Sequence, residues 1–122
     1  MSNFGMVLFA HGSRDPLWHR PMLALAQMLR ERQSGVPVAC AYLELSTPDL
    51  QTACAALLAQ PLTEIRSIPL FLVVGKHARE DLPVLVEQLR QRWPGTVFTL
   101  RPAVGEDPRL LQTLADIALD AH

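Results

Sequence analysis

Long apolar runs, paired cysteines and an excess of charge of either sign are all missing from this 122-residue sequence. No stretch approaches the roughly 20 apolar residues that a membrane-spanning helix needs. The first residues, MSNFGMVLFA, lack the basic start and the cleavage site of a secretory signal. The formal net charge of −1 argues against nucleic acid as a partner. We therefore expect a cytoplasmic protein that binds neither membrane nor nucleic acid.

Several common catalytic signatures are also absent. The sequence contains no GxSxG nucleophile elbow, no GxGxxG and no GxxxxGK[ST], so the usual phosphate cradles and the serine-hydrolase turn are missing. Its two cysteines, Cys40 and Cys54, form no CxxC motif, and we expect both to be reduced core residues. We expect no organic cofactor. A hydrolase that uses the HGSR turn at residues 11–14 remains a distant alternative.

Apolar residues make up 49% of the chain, and they fall into short runs that alternate with helical patterns. This length and composition predict one domain over residues 1–122. Alternating strands and helices are typical of an α/β fold in which helices cover both faces of a parallel sheet. The predicted strands are residues 6–10, 36–43, 65–74 and 96–100. Four helices with one apolar stripe each are expected to follow them.

Helix starts are marked by a capping side chain next to a proline. These signals occur at Asp15-Pro16, Thr47-Pro48, Asp81 with Pro83, and Asp107-Pro108. Because Pro21 would interrupt a helix that began at Pro16, we expect residues 16–20 to form a separate lead-in turn, with the regular helix beginning near Pro21.

Polar side chains with metal-binding chemistry follow three of the predicted strands. His11 follows the first, Glu44 the second and His77 the third. The carboxyl ends of parallel strands share one edge of the sheet, and neighbouring strands lie about 4.8 Å apart, so these side chains could share one ion. Two imidazoles and a carboxylate suit a first-row divalent metal and leave coordination positions open. A structural histidine and a solvated loop glutamate are the competing interpretation.

Basic side chains flank both histidines, although the whole chain is close to neutral. Arg14, Lys76 and Arg79 would make this edge locally positive, which suits a substrate with several carboxylates. We assign substrate contacts to these three residues and to Ser13. Ordinary solvated loop charges are the alternative. His19 is interpreted as a surface histidine, with a place at the mouth of the cleft as the alternative.

Three segments, LFAHGSRDP, AYLELSTPDL and PLFLVVGKHAREDLP, resemble the small class II chelatases, the single-domain sirohydrochlorin cobaltochelatases and ferrochelatases. The resemblance implies a lyase that inserts Co²⁺, Fe²⁺ or Ni²⁺ into sirohydrochlorin on the route to cobalamin, sirohaem or a nickel tetrapyrrole. It also implies a three-layer α/β/α half-domain with strand order 2-1-3-4, and a homodimer.

By motif, the resemblance makes His11 and His77 the catalytic and metal-binding histidines and Glu44 the metal-contacting glutamate. Neutral imidazole near pH 7 can bind a metal or accept a pyrrole proton, so these groups fit both steps of metal insertion. The metal ion is a substrate in this interpretation. A non-catalytic carrier of metal or metallated tetrapyrrole with the same fold is the alternative. The ligand set does not select among the three metals.

Overall fold

Strands and helices alternate along residues 3–120, the part of the chain that the computed structural model describes. The elements are β1 (Phe4–Ala10), α1 (Arg20–Arg32), β2 (Val38–Tyr42), α2 (Leu50–Leu57), β3 (Glu64–Pro69), α3 (Lys76–Arg92), β4 (Val97–Leu100) and α4 (Pro108–Leu119). Short 3-10 helices at Pro16–His19 and Val104–Glu106 precede α1 and α4. All strand pairs are parallel, in the order β2-β1-β3-β4. The predicted α/β class and strand order are confirmed.

Strand β1 lies inside the sheet and is its most buried element. Val7, Leu8 and Phe9 are each at most 1% exposed. Their side chains alternate between two apolar clusters, because successive residues of a strand point to opposite faces. Val7 and Phe9 pack with α2 and α3, and Leu8 packs with α1. The loop after β1 is thus anchored to the best-packed part of the molecule.

Two of the four predicted helix starts are confirmed. The Asp15 carboxylate accepts a hydrogen bond from the Leu17 amide at the start of the 3-10 helix, and α1 begins at Arg20. The Asp107 carboxylate accepts one from the Arg109 amide at the start of α4. Proline at the first helical position costs no hydrogen bond, which explains why these signals are reliable.

The starts predicted for the other two helices were wrong. Helix α2 is capped by Asp49 rather than Thr47: its carboxylate accepts a 2.8 Å hydrogen bond from the Thr52 amide. Hydrogen bonding to Thr52 lowers the pKa of Asp49, as expected for a carboxylate that is stabilised in its charged form. Helix α3 begins at Lys76 after Gly75 and continues through Pro83, which the prediction had placed at its start.

The third strand is shorter than predicted. Strand β3 ends at Pro69, and the apolar residues that follow form a loop in which Leu72 is 59% and Val73 82% exposed. An apolar run in the sequence does not show where strand pairing stops. Strand β3 ends here because its neighbour β1 ends at Ala10 and offers no hydrogen-bonding partner beyond that residue. His77 consequently lies in the first turn of α3, not at the end of a strand.

Both cysteines are free thiols, and neither is placed for redox chemistry. Cys54 is fully buried on α2, and burial raises the pKa of its thiol to about 12. Cys40 lies partly buried on β2, where burial also raises its pKa. A thiol that stays protonated is a poor nucleophile and a poor metal ligand.

Within residues 3–120, no helix is long and apolar enough to cross a membrane.

Helix α4 differs from the other three α-helices because none of its residues is buried. Its apolar side chains nevertheless share one side of the helix, among them Leu111, Leu114 and Ile117, all exposed. The face of the sheet that carries α1 is also incompletely covered at β3, where Arg66 and Ile68 are only half-buried. The chain therefore leaves an amphipathic helix without a packing partner among the described residues.

Candidate metal centre

The carboxyl edge of the sheet brings two of the predicted ligands together. His11 Nε2 lies 2.7 Å from Glu44 Oε1, and each side chain is 55% exposed. His11 directly follows β1, and Glu44 lies two residues after the end of β2, its neighbour in the sheet. The pair is thus a contact between loops 33 residues apart, open to solvent on one side.

Main-chain hydrogen bonds continue the strand pairing up to this pair. The Leu43 amide donates to the Ala10 carbonyl at 2.9 Å, and the Glu44 amide donates to the His11 carbonyl at 3.0 Å. The two side chains therefore project from backbone segments that are already hydrogen-bonded to each other. The sheet therefore sets how far apart the two backbones lie at this pair.

Gly12 allows the backbone to turn immediately after the histidine. Its φ of +111° lies in a region that side chains disfavour, and a Cβ there would collide with the Glu44 carbonyl group. No other residue type could bring the two loops this close. Leu45, on the opposite loop, also has a left-handed backbone, with φ of +64°.

A divalent metal would fit this pair with little rearrangement. Two ligand atoms that are each about 2.1 Å from one ion lie ~3.0 Å apart at a right angle and ~3.4 Å apart at a tetrahedral angle. The observed N–O separation of 2.7 Å is therefore less than about 1 Å short of a bidentate metal site. A bound metal ion would take the place of this direct contact between the two atoms.

His77 is not part of this contact. It is exposed in the first turn of α3 and has no partner among the ion pairs formed within residues 3–120. In this same part of the chain, no group of three His, Cys, Asp or Glu side chains is assembled to hold a metal ion. The structure brings together His11 and Glu44 of the predicted set, and leaves His77 apart from them.

The basic residues predicted to bind substrate are exposed and unpaired. None of the ion pairs among residues 3–120 involves Arg14, Lys76 or Arg79. Lys76 and Arg79 lie with His77 in the first turns of α3, whose N-terminus has no side-chain cap. Backbone amides without a hydrogen-bond partner at the start of a helix attract anions, and so do basic side chains. These groups are free to bind carboxylates.

Ser13 forms several hydrogen bonds in the turn after His11. Its hydroxyl accepts a hydrogen bond from the Asp15 amide at 3.1 Å, which stabilises the turn before the 3-10 helix. Its main chain contacts Ser46, which the sequence analysis did not connect with the site, and His19. His19 is partly buried rather than a surface histidine.

An apolar groove of about 400 Å³ begins beside the pair. Ala10, the residue before His11, lines it together with Leu17, Trp18 and Leu70. Leu17 and Trp18 are large apolar side chains that remain exposed. A flat hydrophobic ligand could cover them, with its polar periphery near the basic residues.

Comparison with known proteins identifies related sequences. The model of the CbiX family matches residues 5–121. A sirohydrochlorin cobaltochelatase from Saccharolobus solfataricus is 34% identical over 116 residues, which cover 90% of this chain and 89% of the relative. One from Methanosarcina acetivorans is 30% identical over 79 residues, covering 65% of this chain and 61% of that protein.

A solved structure of SirB from Bacillus subtilis with Fe³⁺ has the same fold. It superposes with a TM-score of 0.77 at 26% identity, covering 98% of this chain and 49% of SirB. The chain thus spans about half of SirB and 61% of the Methanosarcina protein, but nearly all of the Saccharolobus one.

Proposed function

The chain belongs to the CbiX family, and from this premise we propose that it is a sirohydrochlorin chelatase that inserts Co²⁺ or Fe²⁺, and also Ni²⁺, into the macrocycle. The observation that carries the proposal is the 2.7 Å contact between His11 and Glu44 at an open edge of the sheet. Family membership alone would not supply a site, whereas this pair offers nitrogen and oxygen ligands at almost the spacing that one ion requires.

In the proposed reaction the protein holds the metal and removes two pyrrole N–H protons. His11, Glu44 and His77 bind the incoming ion, and its transfer to the ring nitrogens frees these side chains. The two protons pass to the two histidines, one to each freed imidazole, because neutral imidazole accepts a proton near neutral pH. No organic cofactor is required.

Substrate binding is assigned to the groove and to the charges around it. The apolar side chains of Leu17 and Trp18 are suited to the face of a tetrapyrrole. Arg14, Lys76 and Arg79 would pair with its peripheral carboxylates, and Ser13, in the same loop as Arg14, would also contact the substrate. We propose that the protein works in the cytoplasm, without nucleic acid or membrane as a partner.

Purified protein mixed anaerobically with sirohydrochlorin and Co²⁺, Fe²⁺ or Ni²⁺ is expected to shift the visible bands of the macrocycle faster than a protein-free control. Many turnovers per protein molecule are expected with at least one metal. A shift that stops at one equivalent would identify a carrier instead of an enzyme. No acceleration with any of the three metals would contradict the proposed function.

We further propose that two copies of the chain form the working unit. Residues 1–122 act as one chelatase-like half, since the chain matches only about half of SirB. The surface that the second copy would cover is the apolar side of α4, which has no packing partner within the described chain. Burying a leucine on such a surface contributes roughly 1.5–3 kcal/mol, so a few of them could hold a dimer together.

Replacing Leu114 by glutamate is expected to convert the dimer to monomers, because it places a charge in the middle of the apolar side of α4. Gln112→Glu adds the same charge to the opposite side of the helix and should leave the dimer intact. Light scattering across a concentration series measures both. A monomeric wild-type protein, or a Leu114→Glu variant that stays dimeric, would argue against this interface.

A further inference from the structure

Beyond the contacts between His11 and Glu44 themselves, one hydroxyl group ties the two loops together. Ser46 Oγ donates a 2.6 Å hydrogen bond to the Ser13 carbonyl and accepts a 3.0 Å one from the Ser13 amide. One side chain thus satisfies both main-chain groups of a residue 33 positions away. Ser46 lies two residues after Glu44, and Ser13 lies two residues after His11.

His19 completes this contact from the end of the first 3-10 helix. Its Nε2 lies 3.1 Å from the Ser13 carbonyl and 3.3 Å from Ser46 Oγ. Because a carbonyl oxygen only accepts, Nε2 carries the proton in this bond. The ring packs edge-on against Trp18 at 5.2 Å and against the buried Tyr42 at 4.9 Å. The orientation of the His19 ring is therefore fixed by an aromatic contact on each side.

The backbone between the metal-binding residue and the hydroxyl is strained. Leu45 has φ of +64°, a conformation that costs a branched side chain of this kind free energy. Without a tie beyond it, the loop could relax and carry Glu44 away from His11. Ser46 directly follows the strained Leu45, and its hydrogen bonds to Ser13 hold the loop in place there.

We propose that Ser46, oriented by His19, is a positioning residue that ties the loops beyond His11 and Glu44 together and so keeps the Glu44 carboxylate turned towards His11. It touches neither the metal nor the macrocycle and acts through the backbone of Ser13. The inference rests on the proposed function, because it takes the His11–Glu44 pair as the metal site. Groups that orient metal ligands typically change metal affinity 10–100-fold when they are removed.

The test uses Co²⁺ alone, titrated into the full-length protein and followed by its visible absorption, which reports ligand number and geometry. Ser46→Ala is expected to weaken Co²⁺ binding about 10-fold and to change the spectrum. Ser46→Thr keeps the hydroxyl and should restore affinity to within about twofold of wild type. Ser34→Ala, an exposed serine in the loop before β2, serves as the control and should bind Co²⁺ as wild type does.

A second variant keeps the test valid if Ser46→Ala folds poorly. His19→Phe retains the ring packing against Trp18 and Tyr42 but removes the hydrogen bonds, and it should weaken Co²⁺ binding severalfold. Glu44→Gln, measured in parallel, tests the metal site itself and so separates it from the positioning role of Ser46. If Glu44→Gln weakens binding while Ser46→Ala and His19→Phe leave affinity and spectrum unchanged, the positioning role is overturned and the metal site stands. If Glu44→Gln also has no effect, both are overturned.

Discussion

Replacing His11 by alanine is expected to lower the rate of metal insertion into sirohydrochlorin about a thousandfold, within the range typical of a positioned acid-base group. The side chain is half-exposed and packs in no core cluster, so its loss should leave the fold intact. What it removes is one of the two ligand atoms that lie 2.7 Å apart. Stopped-flow absorption of the macrocycle, with the metal in excess, measures the rate directly.

Glutamate variants provide the matched control for this result. Glu44→Gln removes the charge of the partner side chain and should also slow insertion strongly. Glu31→Gln makes the same chemical change on α1, where Glu31 is exposed and accepts a hydrogen bond from Gln27. It should retain full activity. Wild-type rates for His11→Ala would exclude the histidine from the reaction.

His77→Ala addresses the residue that stands apart from the pair. If its loss slows insertion as much as the loss of His11, the start of α3 takes part in the reaction. If the rate is unchanged, the metal site consists of His11 and Glu44 in this chain, with further ligands from the substrate or the second copy.

Gly12→Ala is expected to lower the free energy of unfolding by at least about 3 kcal/mol. The methyl group would enforce a disfavoured backbone conformation at φ of +111° and would collide with the Glu44 carbonyl. Relief of that collision requires the two loops to separate, so any folded fraction should also lose Co²⁺ affinity. Urea unfolding at neutral pH, followed by circular dichroism, gives the free energy.

Gly95→Ala is the corresponding control. A Cβ at Gly95 would meet no atom within 4 Å, and its φ is not in the positive range. Its substitution should change stability by no more than about 0.5 kcal/mol. Equal stability of the two variants would mean that the loops can move apart without cost, and the close approach at Gly12 would then have no part in building the site.

The sequence was informative about the sheet and about the edge where its chemistry lies. Strand order, taken from the family resemblance, is confirmed, and His11 and Glu44 meet because adjacent parallel strands end side by side. The position of His77 was harder to predict from the sequence. The residues after Pro69 are apolar, as in a buried strand, but in the structure they form an exposed loop. Apolar character reports what could be buried, not what has a pairing partner.

Ser46 and His19 were missed for a different reason. Their contacts with Ser13 join parts of the chain that are distant in sequence, and a lone serine after a glutamate has no pattern that predicts such a bond. The signal that could have found Ser46 is its placement: it follows Glu44 by the same two-residue interval that separates Ser13 from His11. In adjacent parallel strands, equal offsets bring residues to the same level.

The hydrogen bonds from Leu43 to Ala10 and from Glu44 to His11 belong entirely to the main chain. A backbone spacing that is set by peptide groups does not depend on which side chains fill the core or cover the surface. Sequences can therefore diverge widely while this distance is inherited unchanged. Such a site can persist between proteins that share about a third of their residues, as this chain and its Saccharolobus relative do.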